Sequence, residues 1–404
     1  MKADEKYLWV IGGGVLQIPL IQEAKALGLK TVVSDLNKNC AAEVWCDEFI
    51  PLDIFDIQGH IDCLKKCTLN IAGVLAAGID APETMAAMNE YLGLKGVSLQ
   101  TALLCKNKDQ FRLKLQELGY PVPTFAIIDG NNSCDLEKIV STVPFPLIVK
   151  PTNNSASRDM KIFYENTQEL IEFIHKNVEK YGRVLLEELW IGQEQTVECL
   201  VDIDGVFHNG FITDRKFTFK DGFAVETGLV HPTQLDLTKQ NELYALAKKV
   251  ANDLNIHVGA VKLDTIYTQN GPRIIELTVR HSGGFDCQYL VPRSTGKNIL
   301  KCAILTAVQK KFDNTLLENT LKRFGVTGSL WPKPGVIVDI KGIKEAKAMA
   351  GVEEIFLRYE VGDVVGEYID CASRVIFIIC TGKTLQEAKD TLKTVEQTIE
   401  IKTV

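Results

Sequence analysis

The stretch GAVKLDTIYTQNGPRIIELTVR, residues 259–280, contains the most informative pattern of the chain. Two runs of alternating polar and apolar residues flank Asn270-Gly271, a dipeptide typical of a tight hairpin turn. Because successive side chains of a strand point to opposite faces, Lys262 and Asp264 share one face of the first strand. The stretch therefore predicts a β-hairpin with a charged face.

The second strand of this hairpin sorts its side chains in the same way. Its polar face carries Glu276, Thr278 and Arg280, and its apolar face, which the pattern assigns to the core, carries Ile275, Leu277 and Val279. If the polar faces of the two strands coincide, two carboxylates lie between two cations. Carboxylates this close repel each other unless a cation intervenes, and Mg²⁺ bound to phosphate oxygens suits that position. The hairpin alone fits a solvated face with ion pairs equally well.

Two lysines upstream lie beside polar sequence. Lys150 ends a buried strand in FPLIVKPTNNSASRDMKIF, residues 145–163, and faces a polar loop whose backbone amides could fold over phosphates. Lys108, in NKDQFR, offers a second cation at the start of a helix. Either lysine taken alone also fits a solvated surface.

Acidic residues recur in RVLLEELWIGQEQTVECL, residues 183–200. Glu187 and Glu188 end an apolar strand, and Glu194 opens the next strand after a short linker. Backbone groups of such a linker can contact an adenine edge, and the later carboxylate can bind ribose hydroxyls. The segment alone fits an ordinary hairpin with surface acids. The order of the pieces is the unusual feature: a lysine, a lysine with a polar loop, paired acids, then an acid-bearing hairpin.

The N-terminal stretch VIGGGVLQIPL, residues 10–20, places a glycine-rich turn between a strand and a helix. Asp35 ends the next strand, where a ribose-binding acid of a dinucleotide site would lie. The G-x-G-x-x-G fingerprint needs a third glycine for close packing of helix on strand, and Gln17 occupies that position. The pattern favours a strand, turn and helix that open a doubly wound sheet over an NAD(P) site.

The composition of the 404 residues excludes several classes of protein. A net charge of −7 argues against a nucleic-acid-coating protein, whose affinity comes from neutralising phosphates. No apolar run approaches the roughly 18 residues of a membrane span, and MKADEKYLWV lacks the apolar core of a signal peptide. The 11 cysteines are scattered without a C-x-x-C motif, so we expect reduced thiols in a cytoplasmic protein.

The pattern of elements divides the chain into three sections. Residues 1–105 alternate short apolar strands with helical segments, which predicts a parallel sheet covered on both faces. Residues 106–310 contain adjacent strands interrupted by a helix at 237–254, a pattern that indicates an α+β section with antiparallel sheets. Residues 311–404 form a third, smaller section that ends in a helix.

In their order, these pieces resemble the ATP-grasp superfamily over about residues 1–390, in particular its carboxylate–amine ligases. The resemblance implies a mixed α/β and α+β chain whose N-terminal section is a Rossmann-like (pre-ATP-grasp) domain that does not bind NAD. The central section would be the ATP-grasp domain, two α+β subdomains that grip ATP, with a lid at about residues 124–190. The last section would be a C-terminal α+β subdomain.

The resemblance also implies roles for individual residues. Two cations would neutralise the γ-phosphoryl group and the acyl-phosphate as catalytic residues: Lys262 and Arg280. The metal ligands would be Asp264, Glu276 and Thr278. The ATP-binding residues would be Lys108, Lys150, Ser155, Ser157, Arg158, Glu187, Glu188, Leu189, Trp190 and Glu194.

Two further segments are assigned to the substrates by the same resemblance. DRKFTFKDGFAVETGLVHPTQL, residues 214–235, is similar to the F-x-E-x-G-x-x-x-P segment of carboxylate–amine ligases, and HSGGF, residues 281–285, is similar to the loop that borders the acid substrate. The implied substrate-binding residues are Arg215, Glu226, His231, Ser282, Gly283 and Gly284. His231 fits a packed loop histidine equally well.

The chain departs from the family pattern at two places. The loop that covers the phosphates usually contains glycines, and here those positions are Ala156 and Asp159. We expect a stiffer loop, and weaker ATP binding unless Arg158 or Lys161 offsets the added negative charge. Thr278 offers a hydroxyl where the family usually has an asparagine carbonyl, so we expect one metal ion to be held loosely.

The reaction implied by the resemblance is an ADP-forming ligation. A small carboxylate would attack ATP to give an acyl-phosphate, and an amine would displace the phosphate, with Mg²⁺ or Mn²⁺ as cofactor. The expected partners are small molecules, without nucleic acid or membrane, and a homodimer is left open. The alternatives are an enzyme like biotin carboxylase or carbamoyl-phosphate synthetase, or a nucleotide-binding protein without turnover.

Overall fold

The computed structural model describes residues 5–131, 136–154, 158–370 and 374–404. Its N-terminal sheet is parallel, with the strand order β3-β2-β1-β4. Leu8 to Ile11 of the central strand are all fully buried, as expected for a strand covered on both faces. The strands are β1 (Lys6–Ile11), β2 (Lys30–Asp35), β3 (Glu48–Pro51) and β4 (Asn70–Leu75). The helices are α1 (Ile18–Ala26), α2 (Ile57–Lys66), α3 (Pro82–Tyr91) and α4 (Leu99–Lys106).

The glycine turn after β1 is fixed by the chain's own side chains. The Gly13 N–H donates to Asp35 Oδ2 at 2.8 Å, so the acid at the end of β2 caps the turn. Gln17, at the place of the third fingerprint glycine, is 1% exposed and donates to the Ala77 carbonyl. The turn therefore holds the N-terminal sheet together internally.

A second, antiparallel sheet has the strand order β5-β8-β6-β7. Its core packs apolar side chains of the sheet, such as Leu147 and Leu186, against Leu170 and Ile174 of α7. We call this sheet and its helices the lid. Its strands are β5 (Phe125–Asp129), β6 (Leu147–Pro151), β7 (Lys161–Phe163) and β8 (Arg183–Glu188). The helices of this part of the chain are α5 (Lys108–Glu117), which precedes the lid, α6 (Leu136–Val140) and α7 (Gln168–Tyr181).

The largest sheet has eight strands in the order β13-β12-β9-β10-β11-β14-β18-β16 and is antiparallel throughout. Its first strands are β9 (Gln193–Val201), β10 (Phe207–Lys220), β11 (Phe223–His231), β12 (Gly259–Thr268) and β13 (Gly271–Thr278). Its last strands are β14 (Phe324–Leu330), β16 (Val352–Leu357) and β18 (Ile376–Gly382). The accompanying helices are α8 (Leu237–Asp253), α9 (Val291–Thr295), α10 (Ile299–Ala307), α11 (Ile343–Lys347) and α12 (Leu385–Thr398).

A small fourth sheet has the order β17-β15-β19, with β15 (Gly335–Lys341), β17 (Val364–Val365) and β19 (Glu400–Thr403). The parallel N-terminal sheet and the antiparallel sheets after it confirm the expected fold class. The strands of the last section continue the large sheet through the β11–β14 pair, so this sheet crosses position 310. Among the described residues, no helix has the length and apolarity needed to span a bilayer.

Candidate active site

A cleft of about 870 Å³ lies between the lid, the large sheet and the N-terminal section. The lid contributes Lys150 and Glu187, and the large sheet contributes Asp264 and Glu276. The loop after β4 contributes Asp80. The cleft therefore brings together residues that the sequence assigns to the nucleotide, the metal and the substrates.

The β12–β13 hairpin has the register that the alternation predicts. Lys262 is opposite Thr278 and Asp264 is opposite Glu276, so the two polar faces coincide. The register then shifts, because Thr265 pairs with Ile274.

That shift makes the expectation for Ile275 wrong. The bulge leaves Ile275 without a partner in the hairpin register, and its side chain lines the cleft, whereas Ile274 packs in the core. Leu277 and Val279 are fully buried, as expected. The bulge therefore lies next to Glu276, one of the two facing acids.

The two hairpin acids are paired with cations of the chain itself. Asp264 Oδ1 accepts from Lys262 Nζ at 2.6 Å, and Arg215 lies 3.4 Å from Oδ2. Burial opposes ionisation of Asp264, but the charges of Arg215 and Lys262 outweigh it and hold the pKa of this carboxyl well below its usual range. Glu276 Oε2 lies 3.3 Å from Lys108 Nζ.

These residues fit a hard cation that completes its shell with phosphate and water oxygens. The two carboxylates face each other across the hairpin, and Thr278 nearby has a buried hydroxyl oxygen with no hydrogen-bond partner among the described residues. No group of three or more histidine, cysteine or acidic side chains in the described ranges is placed to hold a metal.

At the lid end of the cleft, Glu187 forms a buried cluster with two cations. Its carboxylate accepts from Arg112 Nε and from Lys150 Nζ, and all three side chains are at most 7% exposed. Burial alone would raise the pKa of Glu187, but the charges of Arg112 and Lys150 outweigh burial and lower this pKa from 4.5 to about 2. Burial also lowers the pKa of Lys150. The cluster holds two positive charges for one negative charge, which suits a polyphosphate.

The predicted adenine hinge follows Glu187 directly. The N–H groups of Glu188 and Leu189 donate to the carbonyls of Thr124 and Pro146, at 2.8 and 2.9 Å. Both N–H groups therefore already have acceptors within the protein when a nucleotide base contacts this hinge. The side chains of Glu188, Leu189, Trp190 and Glu194 all line the cleft.

Glu194, the predicted ribose acid, lies 3.3 Å from Arg215, and burial raises its pKa. The other predicted phosphate contacts are at the covering loop. Ser155, Ala156 and Ser157 lie outside the described residues, and Arg158 lines the cleft.

Asp159, at a usual glycine position of that loop, adopts a φ of 54°, the left-handed conformation that glycine takes most easily. Its carboxylate accepts from Lys180 Nζ at 2.8 Å and from the Tyr181 hydroxyl. Lys161 pairs with Glu169 instead. The negative charge is therefore offset by Lys180 on α7.

The opposite end of the cleft is bordered by Arg280 and the loop after it. Arg280 donates to the His281 carbonyl at 3.1 Å and lies 3.7 Å from Asp80, while its Nε is buried with no partner among the described residues. Glu198, fully buried on β9, accepts from the His281 ring and from the Ser282 N–H. Ser282, Gly283 and Gly284 line this end of the cleft.

The segment 214–235 contributes a pair of charges to the same cleft. It forms the β10–β11 hairpin, in which Arg215 Nε donates to Glu226 Oε2 at 2.8 Å. Arg374, two residues before β18, lies 3.2 Å from Glu226 Oε1 and lines the cleft. The structure therefore brings Arg215 and Glu226 to the cleft as expected.

His231 is not brought to the cleft lining. It is 3% exposed, and its ring lies edge-on to Phe211 and contacts the Ile212 carbonyl and the Thr213 hydroxyl. Because it ends β11 on a buried side of the sheet, its neighbours are core residues. The structure favours the interpretation of His231 as a packed histidine.

The burial of His231 predicts a pH-dependent stability. Burial lowers its pKa from 6.5 to about 3, so the unfolded chain binds the proton first as pH falls. We expect the free energy of unfolding to be highest above pH 6.5 and to decline toward about pH 3. His231→Gln should flatten this decline in urea unfolding measured across the range. The exposed His257 provides the matched control, since His257→Gln should follow wild type. An unchanged slope in His231→Gln would contradict the assignment.

Four residues of the site were missed by sequence analysis: Asp80, Arg112, Glu198 and Arg374. Arg112 follows Lys108 by one helical turn, so the helix pattern could have placed both on one face. The others approach the cleft from distant parts of the chain, and no local pattern marks them. The lid and the large sheet enclose the cleft from two sides. With this site between them and a Rossmann-like sheet in the N-terminal section, they define an ATP-grasp fold.

Comparison with known proteins places this fold among ligases. The family described as D-ala D-ala ligase C-terminus matches residues 114–297, and L-amino acid ligase C-terminal domain 2 matches residues 329–404. The L-arginine-specific L-amino acid ligase of Bacillus subtilis is 24% identical over 373 residues, which are 87% of this chain and 86% of that protein.

Solved structures agree in fold. An L-amino acid ligase from Bacillus licheniformis superposes with a TM-score of 0.84 at 22% identity, over 99% of both chains. The biotin carboxylase domain of the Hydrogenobacter thermophilus 2-oxoglutarate carboxylase, in complex with MgADP, gives a TM-score of 0.74 at 17% identity, over 98% of this chain and 91% of that one. The chain belongs to the ATP-grasp superfamily and is an enzyme of its carboxylate–amine ligase type.

Proposed function

We propose that this enzyme joins the carboxylate of one amino acid to the amino group of another, with ATP and Mg²⁺, and forms ADP and phosphate. The observation that carries the proposal is the pairing of opposite charges at the substrate end of the cleft. Arg280 lies beside Asp80, and Arg215 and Arg374 both contact Glu226. An amino acid carries a carboxylate and an ammonium group, so a site for it needs both signs within a short distance.

The names of the relatives support the same substrates. The Bacillus subtilis and Bacillus licheniformis proteins are both called L-amino acid ligases, and one family match has that description. The MgADP in the biotin carboxylase complex supports Mg²⁺ with an adenine nucleotide, and we expect Mn²⁺ to substitute. Small molecules are the proposed partners, while a homodimer and a cytoplasmic location stay predictions.

The nucleotide end of the cleft would bind and orient ATP. Lys108 and Lys150, which line the cleft, would supply positive charge for the phosphates, and Glu194 would bind the ribose. Asp264 and Glu276, with Thr278 beside them, would hold Mg²⁺, which neutralises phosphate charge during transfer. An oxygen of the substrate carboxylate would then bond to the γ-phosphorus as the bond to ADP breaks.

The second step would occur at the other end of the cleft. Arg280 and Lys262 would stabilise the negative charge of the acyl-phosphate while the amine approaches its carbonyl carbon. The neutral amine forms the C–N bond, the C–O bond to phosphate breaks, and the departing phosphate accepts the proton that the amine nitrogen loses. The chain supplies position and charge, and the mechanism needs no protein nucleophile.

Nucleotide binding is tested by thermal unfolding. A ligand at 100 times its dissociation constant raises native-state stability by about 2.7 kcal/mol, so Mg-ATP should increase the melting temperature clearly. NADH should not, because Asp35 caps the glycine turn and Gln17 replaces the third glycine. A shift with NADH and none with Mg-ATP would overturn the proposed nucleotide site.

The ligase activity itself is tested by phosphate release from ATP with all pairs of the common L-amino acids. We expect release that requires two amino acids and a product with the mass of a dipeptide. Bicarbonate in place of the first amino acid tests the biotin carboxylase-like alternative. Mg-ATP binding with no phosphate release for any pair would support the nucleotide-binding protein without turnover.

A further inference from the structure

Arg112 is a buried arginine with no role in the steps described above. It lies on α5 one turn after Lys108 and is 2% exposed. A buried guanidinium is costly unless its donors are paired, so the identity of its acceptors indicates its use. Those acceptors come from two separate parts of the chain.

The first acceptor belongs to the lid. Arg112 Nε donates to Glu187 Oε1 at 2.5 Å, next to the hinge that begins at Glu188. The guanidinium also lies 5.9 Å from the ring centroid of Trp190 in that hinge. Arg112 therefore fixes the carboxylate and the ring at the base end of the nucleotide site.

The other two acceptors belong to the metal hairpin. The terminal nitrogens of Arg112 donate to the carbonyls of Ile274 and Ile275, both at 3.1 Å. These are the bulge residues that precede Glu276. A bulge changes the direction of its strand. The hydrogen bonds from Arg112 to these two carbonyls therefore fix the direction from which the Glu276 side chain enters the cleft.

We infer that Arg112 is a positioning residue that couples the base end of the nucleotide site to the metal-binding hairpin. The rigid guanidinium of Arg112 reaches the lid and the metal hairpin with separate nitrogens. A lysine ammonium has a single nitrogen and cannot reach all three acceptors in this geometry. Base recognition and metal affinity should therefore depend on each other through this side chain. The inference rests on the proposed function of the cleft as a Mg-nucleotide site.

The test measures equilibrium binding by calorimetry for wild type, Arg112→Lys and Arg112→Met. We expect Arg112→Met to weaken Mg·ADP binding by about 10²-fold. The same variant should reduce the ratio of the affinity for ADP to that for GDP, and it should raise the Mg²⁺ concentration at half-saturation. Arg112→Lys should be intermediate for affinity but close to Arg112→Met for base preference. The changes must occur together, because one side chain holds both ends.

Arg183→Met is the matched control. Arg183 also anchors α5, through Asp109 Oδ2 at 2.8 Å, but contacts neither the hinge nor the bulge. We expect it to lower the melting temperature without changing base preference or Mg²⁺ dependence. Arg112 variants that behave like Arg183→Met, or that change only one of the two properties, would overturn the coupling. Wild type that binds no Mg·ADP would instead overturn the proposed function.

Discussion

Glu276→Gln is expected to lower kcat/KM by about 10³-fold while leaving the fold intact. Glu276 faces Asp264 across the hairpin, and its side chain is 32% exposed at the cleft. Glutamine has the same shape but no charge, so the change removes an anionic ligand from a hard cation and weakens the neutralisation of the transferred phosphoryl group.

The stability of the variant should stay near wild type. The ion pair of Glu276 with Lys108 spans 3.3 Å at a partly exposed position, and such pairs contribute at most about 1 kcal/mol. Activity at saturating and limiting Mg²⁺ separates the two effects, because part of the loss should recover at high Mg²⁺. Glu242→Gln is the control, since Glu242 contacts Tyr267 of the same hairpin away from the cleft. Full activity in Glu276→Gln would make Glu276 an ordinary surface acid.

The β12–β13 hairpin shows which features of the site a local sequence pattern can predict. Alternation is a local property, so it correctly placed Lys262, Asp264 and Glu276 on one face. It was wrong for Ile275 because a bulge adds a residue to one strand. The carbonyls at that bulge bond to Arg112, which is far away in sequence, and no local pattern shows such a contact.

The fold class was predictable for a similar reason. Strand and helix patterns are local, and their alternation before residue 105 indicated the parallel sheet that is observed. The partner of a strand is a tertiary property. The pairing of β11 with β14 joins the last section to the central sheet, and periodicity carries no information about it. The domain boundaries stay predictions.

The partners of Asp159 at the covering loop also could not be predicted from local sequence. The sequence suggested Arg158 and Lys161 as charge partners for Asp159, because both lie within two residues of it in the chain. The structure places Lys180 and Tyr181 there, since the end of α7 packs against the loop base. The roles of the individual site residues, including this loop, await the measurements proposed above.

Arg280→Met is expected to lower kcat by about 10³-fold with the KM for ATP changed by less than about threefold. Arg280 lies at the substrate end of the cleft, beside Asp80 and the His281 carbonyl, and its buried Nε has no partner among the described residues. A fixed guanidinium with a spare donor can stabilise charge that develops on the acyl-phosphate. The proposed ATP contacts are made by other residues of the cleft, so ground-state nucleotide binding should persist.

This separation of kcat from KM distinguishes a catalytic role from a structural one. Arg280→Lys keeps the charge but loses the fork, so it should recover about tenfold of the lost rate. Arg293→Met serves as the control, because Arg293 lies on α9, is 53% exposed and contacts Glu353 outside the cleft. If Arg280→Met instead raised the KM for ATP with kcat unchanged, Arg280 would act in uniform nucleotide binding. Its placement beside Asp80 and the His281 carbonyl, on the loop that was assigned to the acid substrate, argues for a role at the acyl-phosphate.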